Sequence, residues 1–509
     1  MSDDRSTTES PCTLFEAARE QFESVVGWLG SGDAAQMTHA EVEARLDSDG
    51  RELLRQLFQG HLDLRAVREA RRPEVTGSDG EARTHVRPGE RKLTTVFGPV
   101  RVERLRYGGR GVTSLSPADL ALNLPQEEYS HGLRRRAAEL AATVSFEETV
   151  RSIDAHTGGH VPARQTQELV RRAALDFDAF YAAGLAEGPE DTQDLLVLSL
   201  DGKGVAMRPD HLREATRKAA EKRTRAAREG QGDGADTRRP HKDRMATVAA
   251  VYTVAPHVRT ADDIMHELRP VRAAAQETRP RARAKRVWAS VGKDPEVVTR
   301  EVFDEAERRD PGHRRTWVVV VDGDRNQIRR VRHEARRRGV TIVLVLDFIH
   351  VLGYLWKAAW SFFERGDPEA GKWVRERARR VLEGRSSDVA GGIRRSATKR
   401  GLSASRRKGA DECANYLVAK RKLTHYEHYL PAGLPIASGV IEGACRHLVE
   451  DRLGITGARW TVPGAEAVLQ LRALRSSGDF DEYWRFHLAQ ERRRNHDSRY
   501  AEGFAAVAA

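Results

Sequence analysis

An α/β fold is expected of this chain, on two observations. The run Leu195-Leu-Val-Leu-Ser-Leu200 holds five apolar residues in six, and Gly202 closes it. A strand with one wet face would alternate, so this run reads as a strand buried on both faces. The second observation is recurrence. Trp317-Val-Val-Val-Val321 and Thr341-Ile-Val-Leu-Val-Leu346 have the same character, and aspartate follows each run, as Asp201, Asp322 and Asp347. A carboxylate at the end of a buried strand sits on the rim of the sheet, where open α/β folds place their chemistry.

Length and charge bound the rest. The 509 residues leave room for roughly two to four domains. A net charge of +11 and a pI near 9.7 suggest a polyanionic partner, nucleic acid first. Cys12, Cys413 and Cys445 are scattered and odd in number, which indicates neither a disulfide framework nor a thiolate metal site. With no leader pattern and no apolar run near 18 residues, the expectation is a soluble intracellular protein that touches no membrane.

Taken in order, residues 1–88 read as a helical N-terminal region. Leu14, Ala17, Phe22 and Val25, then Val42, Leu46, Leu53, Leu57 and Leu62, recur at helical spacing. Residues 89–185 begin with two alternating runs, Lys92–Phe97 and Val100–Tyr107, across a Gly98-Pro99 turn, a hairpin signature. Helices are expected near 130–142, 145–156 and 163–183. The Gly158-Gly159 connection and the basic last helix (Arg164, Arg171, Arg172) suit a helix-turn-helix as well as a plain three-helix unit.

Residues 186–365 carry the three apolar runs and a fourth strand, Met245–Val254. A charged helix is expected from Pro209 to Gly230, a largely helical stretch over Arg281–Arg309, and a basic helix from Asp324 to Arg338. The aromatics of the helix beginning at Phe348 (Tyr354, Trp356, Trp360, Phe362) read as core. Residues 366–430 are a basic helical insertion; within 372–408 thirteen Lys/Arg stand against three Asp/Glu, a net +10. Such concentration favours phosphate contact over a merely solvated face. Residues 431–475 hold a helix over Ser438–Leu453 that carries Glu442, and residues 476–509 read as a tail, loose after Arg492.

Asp201, an aspartate from a neighbouring strand and Glu442 on a flanking helix would together make a carboxylate site. Gathered carboxylates repel one another unless a cation offsets them, and hard oxygen donors suit Mg²⁺. Two such ions about 4 Å apart activate an attacking oxygen and stabilise the leaving one in phosphoryl transfer. Each residue also has a plainer reading. Asp201-Gly and Asp322-Gly are common turn dipeptides, and Glu442 stands one turn before Arg446, the spacing of an exposed ion pair.

Four segments carry a resemblance: Leu198-Ser-Leu-Asp201-Gly-Lys-Gly-Val205, Val319-Val-Val-Asp322-Gly-Asp324, Leu346-Asp-Phe-Ile-His-Val-Leu352 and Ala437-Ser-Gly-Val-Ile-Glu442-Gly. Over about residues 90 to 475 the chain resembles the DDE transposases of bacterial insertion sequences, closest to the ISKra-type group, a relative of the Mutator-like superfamily. The resemblance implies an RNase H-like core with Asp201, Asp322 and Glu442 as catalytic, metal-holding residues. It implies two Mg²⁺, with Mn²⁺ able to substitute, and DNA as partner and substrate, in the bacterial cytoplasm at the nucleoid. It also implies at least a dimer when element ends are paired. Asp347, His350 and Asp324 would support the triad, Asp347 being the alternative second aspartate. Lys203, Arg375, Arg379, Arg394, Arg395, Arg406 and Arg407, within or near the basic segments 213–244 and 372–408, would grip phosphates. Two rival readings share these residues: a nuclease or resolvase on the same fold, and a non-catalytic DNA-binding derivative.

Overall fold

In the computed structural model the described residues are 13–184, 189–214, 216–219, 221, 243–267, 280–437, 439–455 and 457–504. The segment 222–242, which takes in the end of the expected charged helix Pro209–Gly230 and most of the basic stretch 213–244, lies outside them, as do residues 1–12 and Ser438; the described start of that helix, Pro209–His211, is a 3-10 turn. The chain divides into two units, Met1–Ala182 with Phe480–Ala509, and Ala183–Asp479. Among the described residues no helix is long and apolar enough to cross a membrane.

The first unit opens with helices α1 (Glu16–Leu29) and α2 (His39–Val67). Thr38 and Glu41 form a reciprocal capping box that starts α2. Leu62 is buried with Leu93, Val100 and Val102, but Phe22, Leu46 and Leu57 are exposed. Helical spacing correctly indicates helices here; it overstates their burial, because each helix has only part of its surface covered by neighbours.

The hairpin forms as β1 (His85–Thr95) and β2 (Gly98–Gly109), with β3 (Val112–Leu115) alongside β2. Its turn is Val96-Phe97, not Gly98-Pro99. Thr95 pairs with Gly98 in the ladder, and Thr95 Oγ1 closes the turn by donating to the Gly98 carbonyl at 2.8 Å and accepting from Phe97 N–H at 3.1 Å. Gly98 takes a φ of +131°, which a side chain would resist.

Three helices follow, α3 (His131–Ala141), α4 (Phe146–His156) and α5 (Ala163–Ala173). Ser130 and Ser145 cap the first two through Leu133 N–H and Glu148 N–H. Leu133, Ala137, Ile153, Val161 and Leu169 make their shared core. The expected long third helix stops at Ala173, and a separate turn, Phe177–Ala182, follows. Its basic residues are partly engaged: Arg171 pairs with Glu168 at 3.5 Å and Arg172 with Glu127 at 2.6 Å.

The expected tail is a correction. Phe480–Asn495 is a helix, and buried ionic contacts fix it within this unit. Arg134, fully buried, donates to Glu491 at 2.8 Å and also pairs with Glu127. His487 contacts Asp176 at 2.7 Å, Arg494 reaches Asp176 at 2.9 Å, and Tyr483 donates to the Ala173 carbonyl at 2.6 Å. Beyond Arg492, expected to be loose, Tyr500 is buried.

The second unit is built on a mixed sheet in the order β8-β7-β4-β5-β6, where β4 is Leu195–Ala206, β5 Asp243–Val254, β6 Arg283–Ser290, β7 Trp317–Val321 and β8 Ile342–Leu346. β4, β5 and β6 run antiparallel in succession, while β7 and β8 lie parallel to β4. β7 is buried at every residue, in line with its uninterrupted apolar run of Trp317 and four valines. β6 corrects the expectation of a largely helical Arg281–Arg309; helix α6 (Pro295–Arg309) occupies only its second half. Arg283, Lys285 and Arg286 obscure the strand pattern, and charge of this kind is common on a strand with one free edge.

Helix α7 (Arg325–Arg338) joins β7 to β8. Asp324 caps its start, and Gly339 ends it in the left-handed conformation at φ +66°. α8 (Phe348–Ala359) follows β8, then the insertion helices α9 (Pro368–Leu382), α10 (Ser386–Lys399) and α11 (Ala404–Lys420), which pack on α8 and on one another. The α8 aromatics are not core, as had been expected. Trp356 is 38% exposed, and Tyr354, Trp360 and Phe362 are half-buried; the buried face is Phe348, Val351 and Leu355. α12 (Gly439–Ala444) and α13 (Val462–Ser477) complete the unit, α13 packed on β6.

Candidate active site

The parallel strands β7 and β8 end at Val321 and Leu346, and the next residue of each is an aspartate. β4 behaves differently. Its ladder with β7 stops at Ser199, yet its ladder with β5 continues to Ala206. Asp201 is therefore inside an extended strand, not in a turn, and lies at a rim only on the β7 side. The Asp-Gly turn reading fails at Asp201 because Gly202 pairs with Thr247. It holds at Asp322, where Gly323 takes φ +99°.

Each aspartate accepts a hydrogen bond from a backbone N–H one to three residues on, and Asp201 a second from far along the chain. Asp201 Oδ1 accepts from Gly202 N–H at 2.7 Å, and Oδ2 from the Cys445 thiol at 3.3 Å. Asp322 Oδ1 accepts from Asp324 N–H at 2.7 Å. Asp347, buried, caps α8 by accepting from Ile349 N–H at 2.8 Å. Asp324 accepts from Gln327 N–H at 2.7 Å, and Gln327 Nε2 donates to the Leu200 carbonyl at 2.8 Å, tying α7 to the residue before Asp201.

The carboxylates feel one another. Burial raises the Asp322 carboxyl above its ordinary value, and Asp201 and Asp324 add to the rise, against Asp324 N–H and His350. Glu442 is raised by burial, then by Asp347 and Asp201, with His350 opposing. Asp201 is thus the shared neighbour of Asp322 and Glu442, and His350 faces both; its Nδ1 is buried with no hydrogen-bond partner among the described residues. Burial also pushes the Cys445 thiol up, with Asp201's charge adding, so the group stays a donor. The donor set is hard oxygen under mutual repulsion, the chemistry that a divalent cation relieves. Even so, no group of three or more His, Cys, Asp or Glu among the described residues is arranged to hold a metal ion.

The plainer reading of Glu442 is not supported: Arg446 approaches Asp451 at 3.6 Å, and no Glu442–Arg446 pair occurs among the ion pairs of the described residues. Lys203 is engaged by Glu450. In the insertion, Arg379 pairs with Asp262 and Glu383, Arg406 with Glu364 at 2.7 Å and Arg407 with Asp411 at 2.8 Å, while Arg394 donates to Asn415 at 2.6 Å. Arg375 and Arg395 are exposed and make no ion pair among the described residues.

Three tyrosines that the sequence reading passed over anchor this rim. Tyr416 of α11 donates to the Asp322 carbonyl at 2.8 Å and stacks on Tyr354, ring centroids 3.9 Å apart. Tyr426 and Tyr429 donate to the Leu346 and Leu344 carbonyls at 2.7 and 3.2 Å. Only their occurrence in a stretch otherwise rich in arginine could have flagged them. Tyr416→Phe is expected to lower stability by about 1 kcal/mol, one lost hydrogen bond. A thermal melt should read this as a drop of ~2 °C.

No protein-family model matches the chain, and no curated protein matches it.

Proposed function

We propose that the chain is a DNA transposase that cuts and joins DNA strands on an RNase H-like core. The observation that carries the reading is that Asp201 bears electrostatically both on Asp322, which follows β7, and on Glu442 of α12, on which Asp347 bears as well. The sheet order supports it. Counted along this unit, the strands run 3-2-1-4-5, with the second antiparallel and the fourth and fifth parallel to the first, the topology expected of an RNase H-like core.

In this reading Asp201, Asp322 and Glu442 would hold Mg²⁺, two ions in all, with Mn²⁺ able to substitute. When bound, the cations supply Lewis-acid activation of the attacking oxygen and charge relief at the leaving 3′ oxygen. The chain's own part is to hold the carboxylates in place through Gly202 N–H, Asp324 N–H and the Tyr416 clamp. Arginines of α9–α11 would grip phosphates and fix the DNA without reading its sequence.

The test is incubation with DNA bearing the element's ends, with and without Mg²⁺. The proposal expects Mg²⁺-dependent cleavage followed by joined products. Cleavage without joining means a nuclease or resolvase; tight, salt-sensitive binding without cleavage means the non-catalytic derivative. A second expectation concerns the insertion. Reversing Arg375, Arg394 and Arg395 to Glu should weaken binding and flatten the log–log salt dependence by about 3 units, ~0.9 per lost phosphate contact. An unchanged slope makes that face merely solvated.

A further inference from the structure

Helix α8 leaves an indole open where nearby rings are covered. Trp356 and Trp360 stand one turn apart at its end and stack with ring centroids 5.2 Å apart, yet Trp356 stays exposed. On the residues that follow, arginines lie over the aromatic faces: Arg377 is 3.9 Å from the Trp373 centroid, and Arg400 5.3 Å from that of Phe362. Among the described residues no cation covers Trp356 or Trp360. Gly371 of α9 adjoins the open indole. A Cβ at this position would stand 3.9 Å from Trp356 Cη2 and 3.4 Å from Arg375 Nη1, so ring and guanidinium border one spot that has no side chain of its own. Arg375 is itself exposed, with no ion pair among the described residues.

We propose that Trp356 is a stacking platform for an unpaired base of single-stranded DNA, with Arg375 on the adjoining phosphate. The inference rests on the DNA-binding part of the reading above and needs no metal ion. Every base has a π face, so an aromatic side chain can hold a strand without reading its sequence, provided that cations track the backbone beside it. An apolar protein partner would also cover an indole, but charge decides between the two. The segment 372–408, which begins beside this ring, sets thirteen Lys/Arg against three Asp/Glu, and such surroundings complement a polyanion. In a duplex the base faces are stacked on one another and out of reach, so the ring selects unpaired DNA.

The experiment is fluorescence-anisotropy binding of the full chain to an oligothymidylate and to duplex DNA of the same length, with thermal melts reporting folding. Wild type, Trp356→Ala, Trp356→Phe and Arg375→Ala are compared. Trp356→Ala should weaken single-strand binding about fivefold or more and leave duplex binding near wild type. Trp356→Phe, which restores an aromatic face, should recover most of the loss. Arg375→Ala should flatten the single-strand log–log salt slope by about 0.7; an unchanged slope overturns its part. Should the alanine variant not fold, Trp356→Leu fills volume without a π face and takes its place. Wild-type single-strand affinity in the variant lacking the ring overturns the proposal, as does an equal loss on both DNAs or a folded phenylalanine variant no better than alanine. Self-association of wild type that Trp356→Ala abolishes, with single-strand affinity kept, assigns the face to a second copy and overturns it too. A wild type that binds neither DNA overturns the DNA-binding reading, and the inference with it.

Discussion

Asp201→Asn protein is expected to bind DNA almost as wild type and to cleave it at least about a thousandfold more slowly. Losing a metal carboxylate removes several kcal/mol of transition-state stabilisation, and each ~1.4 kcal/mol is tenfold in rate. Affinity is carried elsewhere, by arginines on phosphates. Single-turnover cleavage beside an anisotropy binding curve reads both quantities. Asp322→Asn and Glu442→Gln should behave alike, and wild-type cutting by Glu442→Gln would mean that the glutamate is misassigned. Asp347→Asn is the informative contrast. Asp347 serves α8 as its N-terminal cap, a role asparagine fills as well as aspartate, so this variant should keep most of its cleavage. Loss at Asp347 with retention at Asp322 would exchange the two assignments.

The largest effect on stability is expected at Arg134. Removing a fully buried guanidinium leaves Glu127 and Glu491 charged without it, and breaking such a pair costs about 3–5 kcal/mol. Chemical denaturation of Arg134→Ala should show that loss in the first unit. The same cluster carries a pH signature. Burial alone would raise Glu491, but Arg134 and Arg494 overcome it and hold the carboxyl down at about 2, from an ordinary 4.5. The unfolded chain then binds the extra proton, so this contribution is fully present above pH 4.5 and is lost as pH falls toward 2. A denaturation series across that interval should show falling stability in wild type and a flatter course in Arg134→Ala; equal slopes would put the acid sensitivity elsewhere.

How far the sequence could be read depended on the kind of pattern each element left. β7 announces itself because a strand covered on both faces tolerates no polar interruption; β8 carries the same apolar run, but as an edge strand among the described residues its Ile342, Val343 and Leu344 are only half-buried, short of the two-face burial its run suggested. β6 does not announce itself, because Arg283, Lys285 and Arg286 precede its buried half, Val287–Ser290, and mask it. The hairpin was legible as two alternating runs, but its turn was not, since Thr95 closes it with a side chain where Gly98-Pro99 looked the stronger signal. At the candidate site the aspartates stood out by position after apolar runs. Cys445 did not, because its contact with Asp201 joins residues 244 apart in sequence and leaves no local pattern. The Phe480–Asn495 helix was missed for a related reason: long-range ion pairs with Arg134 and Asp176 hold it, and these leave no local trace.

The tyrosine anchors bear on how such a chain could be rearranged. Among the described residues β8 has a sheet neighbour on one side only, and Tyr426 and Tyr429 cap carbonyls of this strand. The inserted segment thereby acts as a selvedge, finishing a border that would otherwise invite another chain to pair with it. It is not a detachable accessory. The short stretch bearing the tyrosines is tied to the sheet it completes.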